Sequence, residues 1–183
     1  MKLNPTLLAL AAAAVFAGQA NAIVVVGTTT GGPTWNRPVA GTPPTPPLSG
    51  VGTAVRYTVL PFTVSAAGSY VFQSTATDPL NWDNYAFLYQ TAFNPASPFT
   101  NVLVGNDDNI TIGSAGFTSV LATGTNYFFI TTGFANTDFG AYSNSITGPG
   151  TVTVTAVPEP ETYALMALGL AGVLAAARRR NSV

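Results

Sequence analysis

The chain has 183 residues, of which 47% are hydrophobic and 7% charged, and its formal net charge is -1. Charged residues make up about 25% of ordinary soluble chains, so this composition is typical of an exported or surface protein rich in Thr, Ser, Asn and Gly. Cys and His are both absent, which excludes disulfides, thiolate chemistry, and the commonest general base and transition-metal ligand. No stretch between the termini is basic, so nucleic acid is not expected as a partner.

The N-terminus has the pattern of a secretory signal peptide over residues 1–22. Lys2 provides a short basic region, residues 7–17 form an apolar run, and Ala20 and Ala22 are the small residues that signal peptidase recognises. The apolar run is shorter than the roughly 20 residues of a membrane span, and no basic flank follows it. Cleavage by signal peptidase after Ala22 is therefore predicted, and the mature chain begins outside the cytoplasm.

Residues 23–53 form a Gly-, Pro- and Thr-rich segment ahead of the predicted domain. The stretch "GTPPTPPLSG" predicts extended, polyproline-like chain, because proline fixes its own φ and biases the preceding residue away from helix. A plain linker is the simplest interpretation. Trp35 argues against a wholly free segment, since so large an apolar side chain is usually covered, and we expect it to dock on the domain that follows.

In residues 54–156 apolar and polar side chains alternate with a period of two, and no window has the apolar stripe of a helix. Runs such as "VRYTVLPFTV", "SYVFQST" and "TVTVT" are rich in β-branched and aromatic residues and are separated by turn residues. The pattern predicts an all-β fold, an antiparallel β-sandwich of about seven to nine short strands. The expected core side chains are Tyr57, Val59, Val64, Tyr70, Phe72, Phe87, Leu88, Val102, Val104, Phe117, Leu121, Phe128, Ile130, Val152 and Val154.

Three stretches of the middle region match the motifs of a known family: "WDNYAFLYQTAFNP", "NVLVGNDDN" and "LATGTNYFFITTGFANTDFGAYSNSI". Residues 55–155 resemble the bacterial pre-peptidase C-terminal (PPC) type of β-sandwich. The residues that match its motifs are Asp83, Tyr85, Leu88, Asp107, Asp108, Leu121, Gly124, Thr125, Tyr127, Thr132 and Gly133. The resemblance implies an exported accessory module, sometimes linked to polysaccharide or matrix contact and usually not catalytic.

The strongest polar cluster is "NDDN", residues 106–109. Its Asp107 and Asp108, joined by Asp83 or Asp138 from other loops, offer the oxygen ligands that Ca²⁺ prefers. A turn without metal is the favoured interpretation, because Asn and Asp satisfy local backbone groups in turns and the spacing is not that of an EF-hand. The sequence thus predicts no cofactor, with a Ca²⁺ site at these four aspartates as the open alternative.

Catalysis is not expected from this residue set. The aspartates of the middle region all lie in loop contexts beside Asn, Pro or Gly, and no His or Lys is present there to activate a nucleophile. A carbohydrate- or ice-binding module with a Thr- and aromatic-lined face is the alternative function. That alternative requires an exposed coplanar patch formed by Trp35, Trp82, Tyr85 or Tyr142.

The C-terminal stretch "VPEPETYALMALGLAGVLAAARRRNSV", residues 157–183, combines prolines, an apolar run and an arginine cluster. The run is apolar all round, which disfavours an amphipathic core helix, and predicts a single transmembrane helix at about residues 162–177. Residues 163–177 would be about 22 Å long as a helix, which is a marginal span. Arg178, Arg179 and Arg180 would hold its end in the cytoplasm by the positive-inside rule.

These three elements in this order resemble the PEP-CTERM sorting signal of Gram-negative bacteria. The resemblance implies recognition of Pro158, Glu159 and Pro160 by an exosortase, a membrane protease, with the three arginines as the cytoplasmic stop. It also implies a host with exopolysaccharide and biofilm systems. The sequence therefore predicts an exported, non-enzymatic β-sandwich that is first tethered to the inner membrane by its C-terminal helix. It is then sorted to the envelope or matrix for a structural or adhesive role, with exopolysaccharide as a candidate partner.

Overall fold

The computed structural model describes residues 20–155, and within that range every regular element is a β-strand. The predicted signal helix, the predicted membrane helix and the sorting-motif residues lie outside the described residues. No helix between residues 20 and 155 has the length and apolarity that a membrane crossing needs. The strands are β1 (Asn21–Thr28), β2 (Thr34–Trp35), β3 (Val55–Val64), β4 (Gly68–Asp78), β5 (Asn84–Gln90), β6 (Val102–Asn106), β7 (Ser114–Leu121), β8 (Tyr127–Gly133), β9 (Ala141–Gly148) and β10 (Val152–Val154).

The strands form two antiparallel sheets, which confirms the predicted β-sandwich. One sheet has four strands in the order β1-β9-β4-β7, and the other runs β10-β3-β8-β5-β6 with β2 added against β3. The register places Phe72 of β4 opposite Phe117 of β7 on one side and Ile146 of β9 on the other. Large side chains of three strands therefore line up on one face of the four-stranded sheet.

The main core lies between the two sheets. Phe72 packs against Phe129 of the facing sheet with ring centroids 5.3 Å apart, and Phe62 stacks on Tyr127 at 5.6 Å. Each buried aromatic side chain removes about 150–250 Å² from water, so these rings contribute strongly to the core. The core is therefore built from the inward face of each strand, as the alternation predicts.

A second apolar cluster lies on the opposite, outer face of the six-stranded sheet. Consecutive strand residues point to opposite faces, so Leu88 enters the main core while Phe87 enters the second cluster with Tyr57 and Ile130. Both side chains are buried, as expected, but on opposite faces of the sheet. Val154, also predicted to be buried, is 37% exposed because β10 is a short edge strand.

The N-terminal segment covers that second cluster, and Trp35 is its main contact. Trp35 is 4% exposed and packs edge-on against Phe87 and Phe93, with both ring centroids at 5.4 Å. Its indole N–H donates to Thr132 Oγ1 at 3.1 Å. The predicted docking of Trp35 is therefore confirmed.

The rest of residues 23–53 is not an extended linker. β1 completes the four-stranded sheet by pairing with β9 along its whole length. The Pro-rich stretch folds back on itself through a bridge between Pro38 and Leu48, and Gly41 bridges Gly105 on β6. Tertiary contacts with the sheets override the local preference of the prolines, so the folded unit includes the segment that the composition set apart.

Candidate metal centre

Three aspartates meet at one end of the β5–β6 hairpin. Asp83 directly precedes β5, and Asp107 and Asp108 directly follow β6. Because these strands are antiparallel, with Ala86 opposite Asn106, the start of β5 and the end of β6 lie together. One carboxylate oxygen of each aspartate lies within 4.8 Å of the others. The fold thus brings together three of the residues proposed from the sequence, although they come from two separate loops.

Two oxygens of the cluster lack a hydrogen-bond partner among the described residues. Asp83 Oδ1 and Asp107 Oδ1 are both buried and unpaired. Buried carboxylate oxygens are normally hydrogen-bonded or bound to a cation, because desolvation of an unpaired one is costly. This pair of oxygens is the observation that separates the cluster from a solvated turn.

The amides of the "NDDN" turn are already used within the fold. Asn106 Nδ2 donates to Gly116 O at 2.7 Å, and Asn109 Nδ2 donates to Gln73 Oε1 at 2.7 Å. Gly113 follows the turn with a φ of 81°, and a Cβ there would lie 2.7 Å from Asn81 Cα. The two amides and the close glycine fix the loop against β7 and the loop before β5, which holds the aspartates in place.

Burial and mutual repulsion perturb two of the carboxyl groups. Desolvation, followed by the charges of Asp83 and Asp108, raises the pKa of Asp107 to about 6, against the opposing effect of Arg37. Desolvation also raises the pKa of Asp83, with added repulsion from Asp108 and Asp138. A site whose carboxylates resist ionisation is one that a bound cation would relieve.

Asp138 stands apart from the cluster. Its Oδ2 accepts a hydrogen bond from the backbone N–H of Ala135 at 2.8 Å, which closes its own loop. It acts on Asp83 and Asp107 through its charge, and it is not one of the three residues whose oxygens converge. The prediction of four ligands therefore reduces to three converging carboxylates and one nearby charge.

Arg37 is the functional neighbour that sequence reasoning missed. Its side chain is 2% exposed, and its guanidinium donates to Phe134 O at 2.7 Å, Gly133 O at 3.0 Å and Pro38 O at 2.9 Å. It also lies over the Tyr85 ring at 4.0 Å. Burial lowers the pKa of Arg37, while the charges of Tyr85, Asp107 and Asp83 oppose that shift. The available signal was the scarcity of basic residues, since Arg37 and Arg56 are the two that lie between the terminal segments.

The donor set suits a hard divalent cation. Ca²⁺ takes 6–8 oxygen ligands, so three carboxylates would supply part of the shell and backbone carbonyls or water the rest. One arginine offsets only part of the negative charge of the cluster. The residues present therefore fit Ca²⁺ in charge and in ligand type.

The four aromatic residues considered for a sugar or ice surface are all buried. Trp35, Trp82, Tyr85 and Tyr142 are each below 10% exposed. Trp82 Nε1 donates to Ala141 O at 2.8 Å, and Tyr142 Oη is 2.7 Å from Thr58 Oγ1. These side chains serve the fold, and none of them contributes to an exposed coplanar patch.

Comparisons with known proteins address the C-terminus and the general architecture. Residues 156–180 match the PEP-CTERM protein-sorting motif, which confirms the resemblance seen in the sequence. The motif implies export to the envelope or extracellular space and processing by an exosortase, a membrane protease. No curated protein matches the chain significantly.

Among solved structures, the chain is similar to two adhesin domains of Lys-gingipain from Porphyromonas gingivalis W83. The K1 cleaved adhesin domain has a TM-score of 0.37 and 16% identity, over 76% of this chain and 100% of that domain. The K3 domain has a TM-score of 0.35 and 16% identity, over 71% and 91%. No functional conclusion rests on likeness of this degree. What the comparisons establish for this chain is the PEP-CTERM sorting motif at residues 156–180.

Proposed function

We propose that this protein is an exported, non-enzymatic β-sandwich with a structural or adhesive role, sorted by an exosortase to the envelope or extracellular matrix. The observation that supports it is the position of the sorting motif. Residues 156–180 follow β10 with a gap of one residue, Thr155. Cleavage near Pro158, Glu159 and Pro160 would release the sandwich from the predicted membrane helix without cutting a strand.

The composition supports a role without catalysis and a setting rich in polysaccharide. Neither Cys nor His occurs, so the commonest activated nucleophile and the commonest general base are both missing. A chain with 7% charged residues and a net charge of -1 is compatible with dense exopolysaccharide, because it neither attracts nor repels charged polymers strongly. Association with a biofilm matrix is the finer part of the proposal.

Mass spectrometry of the exported protein tests the sorting proposal. We expect the mature chain to begin at Ile23 and to end near Pro160, and we expect Glu159→Ala to leave an unprocessed, membrane-bound form. Asp78→Asn, an exposed change at the end of β4, is the control that should be processed normally. An extracellular product that still contains residues 163–183 would contradict the proposal.

We also propose that Asp83, Asp107 and Asp108 bind Ca²⁺ as a structural ion. The buried, unpaired oxygens of Asp83 and Asp107 support this site. Calorimetric titration of the exported protein with CaCl₂ is expected to show saturable binding that Asp83→Asn weakens at least about tenfold, since one charged ligand is lost. Asp78→Asn should bind as the wild type does. Equal binding by the two variants, or none by the wild type, would refute the site.

A further inference from the structure

The four-stranded sheet ends in a strand, β1, whose outer edge has no strand partner between residues 20 and 155. The β1 sequence "NAIVVVGT" contains no charge and no proline. Its Val24 and Val26 are 64% and 77% exposed. An edge strand of this kind is a template for pairing with another strand, and proteins usually protect such edges with charges, prolines, bulges or covering loops.

The hydrogen bonds at the end of β1 show which backbone groups face the free edge. The N–H of Thr29 donates to Gly140 O at 3.0 Å, towards β9. Backbone groups alternate in direction along a strand, so Val25 and Gly27 also face β9. Val24, Val26 and Thr28 then direct their N–H and C=O groups away from the sheet.

The other sheet edges in the described part of the chain are covered, half-covered or short. At β6, Gly105 exchanges two backbone hydrogen bonds of 2.9 Å with Gly41. At β7, Ser114 O accepts from the N–H of Asn109, and Gly116 O accepts from Asn106 Nδ2. The β10 edge has three residues. The contacts at β7 cover only the first half of that strand, so β1, with the outward-facing Val24, Val26 and Thr28, has the longest uncovered edge among the described strands.

We propose that β1 pairs antiparallel with β1 of a second copy of this chain, about a two-fold axis at Val26. This register sets Val26 opposite its copy and Val24 opposite Thr28 of the other chain. All three outward-facing residues are then paired by about six hydrogen bonds. The two four-stranded sheets join into one continuous sheet across the interface, in the β-augmentation mode.

Several observations favour a second copy over a different partner. An antiparallel two-fold pair needs only one strand sequence, since every donor meets its own acceptor in the copy. Neither β1 nor its neighbour β9 has a charged residue, so two copies meet without repulsion. If signal peptidase cuts after Ala22, the two Ile23 amino groups lie at opposite ends of the shared ladder. The proposal is independent of the Ca²⁺ site and goes beyond the sorting role.

Disulfide cross-linking tests the geometry, because the natural chain has no cysteine. The Cα atoms of a hydrogen-bonded antiparallel pair are about 5.5 Å apart, which a disulfide can span. Diamide, which takes two electrons and two protons from two thiols, should cross-link exported Val26→Cys into a dimer. Val120→Cys is the matched control: it is 78% exposed on β7, the other edge strand of the same sheet, and should cross-link at least about tenfold more slowly.

Sedimentation velocity of the exported protein at about 100 μM tests the association itself. We expect the wild type to form a dimer. Val26→Lys should raise the dissociation constant of this dimer at least about tenfold, because two ammonium groups would face each other across the axis. Val120→Lys should remain a dimer. A monomeric wild type, an intact Val26→Lys dimer, or mixed disulfides between Val26→Cys and Val120→Cys would each overturn the proposal.

Discussion

The two sheets of this sandwich differ in what lies on their outer faces. The six-stranded sheet has an aromatic outer face, formed by residues such as Tyr57, Phe87 and Tyr89, and the segment around Trp35 covers it. The outer face of the four-stranded sheet is largely open, apart from the contact of Asn109 with Gln73, and its one charged strand residue is Asp78 at the end of β4. Its central rows across β1, β9, β4 and β7 are Val24–Ser145–Gln73–Gly116 and Val26–Ser143–Thr75–Ser114. The described part of the chain therefore has three layers, namely the covering segment, the six-stranded sheet and the four-stranded sheet, and no comparable segment covers the outer face of the four-stranded sheet.

The strand sequences account for this difference. β5, "NYAFLYQ", is buried at every position but the last, whereas β9, "AYSNSITG", alternates between buried and half-buried residues. A strand that is apolar on both faces needs cover on both, and one with Ser and Thr on alternate positions can face solvent. The apolar residues on both faces of β5 thus require a covering segment, and the Ser and Thr residues of β9 allow its outer face to contact solvent.

The largest expected effect comes from removing Trp35, the main contact of the segment that covers the six-stranded sheet. Trp35→Ala should lower the free energy of unfolding by about 3–5 kcal/mol, because a fully packed indole is lost and a cavity remains. Denaturant unfolding measures the change. Val120→Ala, an exposed change on the outer face of the four-stranded sheet, is the control and should stay within about 0.5 kcal/mol of the wild type. Equal losses in the two variants would mean that the two faces are not energetically different.

The position of the cover could be predicted from the sequence only in part. The docking of Trp35 follows from its size, and the strands follow from their alternation. The pairing of β1 with β9 joins residues more than a hundred positions apart, and nothing in "NAIVVVGT" specifies that partner. The division of the buried residues into two clusters was not predicted either, because Phe87 and Leu88 belong to opposite faces of a strand that is buried on both sides.

The candidate site was predictable in its residues but not in its environment. Asp83, Asp107 and Asp108 are recognisable as loop carboxylates, yet their convergence depends on the β5–β6 register. The contacts of Arg37 with Gly133 and Phe134 span nearly a hundred residues and have no local sequence signal. Long-range contacts of this kind are fixed by topology rather than by local pattern.

A second, smaller effect should follow from loss of the arginine that ties the cover to β8. Arg37→Met leaves the carbonyls of Gly133 and Phe134 without their donors, which should lower the free energy of unfolding by about 2 kcal/mol. Arg37→Lys should lose nearly as much, because one ammonium cannot replace the planar guanidinium over Tyr85. Arg56→Met is the control, since Arg56 makes a single long hydrogen bond to Gly32 O at 3.4 Å. A loss confined to Arg56→Met would contradict the role given to Arg37.

The smallest effect lies at the margin of the covered face, where Asp107 is close to Arg37. The pKa of Asp107 is raised to about 6 from 3.8, so the folded chain binds this proton more tightly than the unfolded chain does. The protonated Asp107 therefore contributes to the free energy of unfolding at low pH, and this contribution is lost as pH rises from about 4 through about 6. With divalent cations chelated, we expect a decline of about 1 kcal/mol from this group, a value reduced for its partial exposure to solvent.

Asp107→Asn should remove this part of the pH dependence and stabilise the cation-free protein at pH 7, whereas Asp78→Asn should leave the decline unchanged. Saturating Ca²⁺ should oppose the decline in the wild type, because the ion replaces the proton and binds more tightly as the carboxylates ionise. Urea unfolding at pH 4, 5, 6 and 7, with chelator and with Ca²⁺, measures both effects. If Asp107→Asn kept the wild-type decline, neither the burial of the Asp107 carboxylate nor its repulsion by Asp83 and Asp108 would be the source, and a cation would gain nothing by neutralising this group.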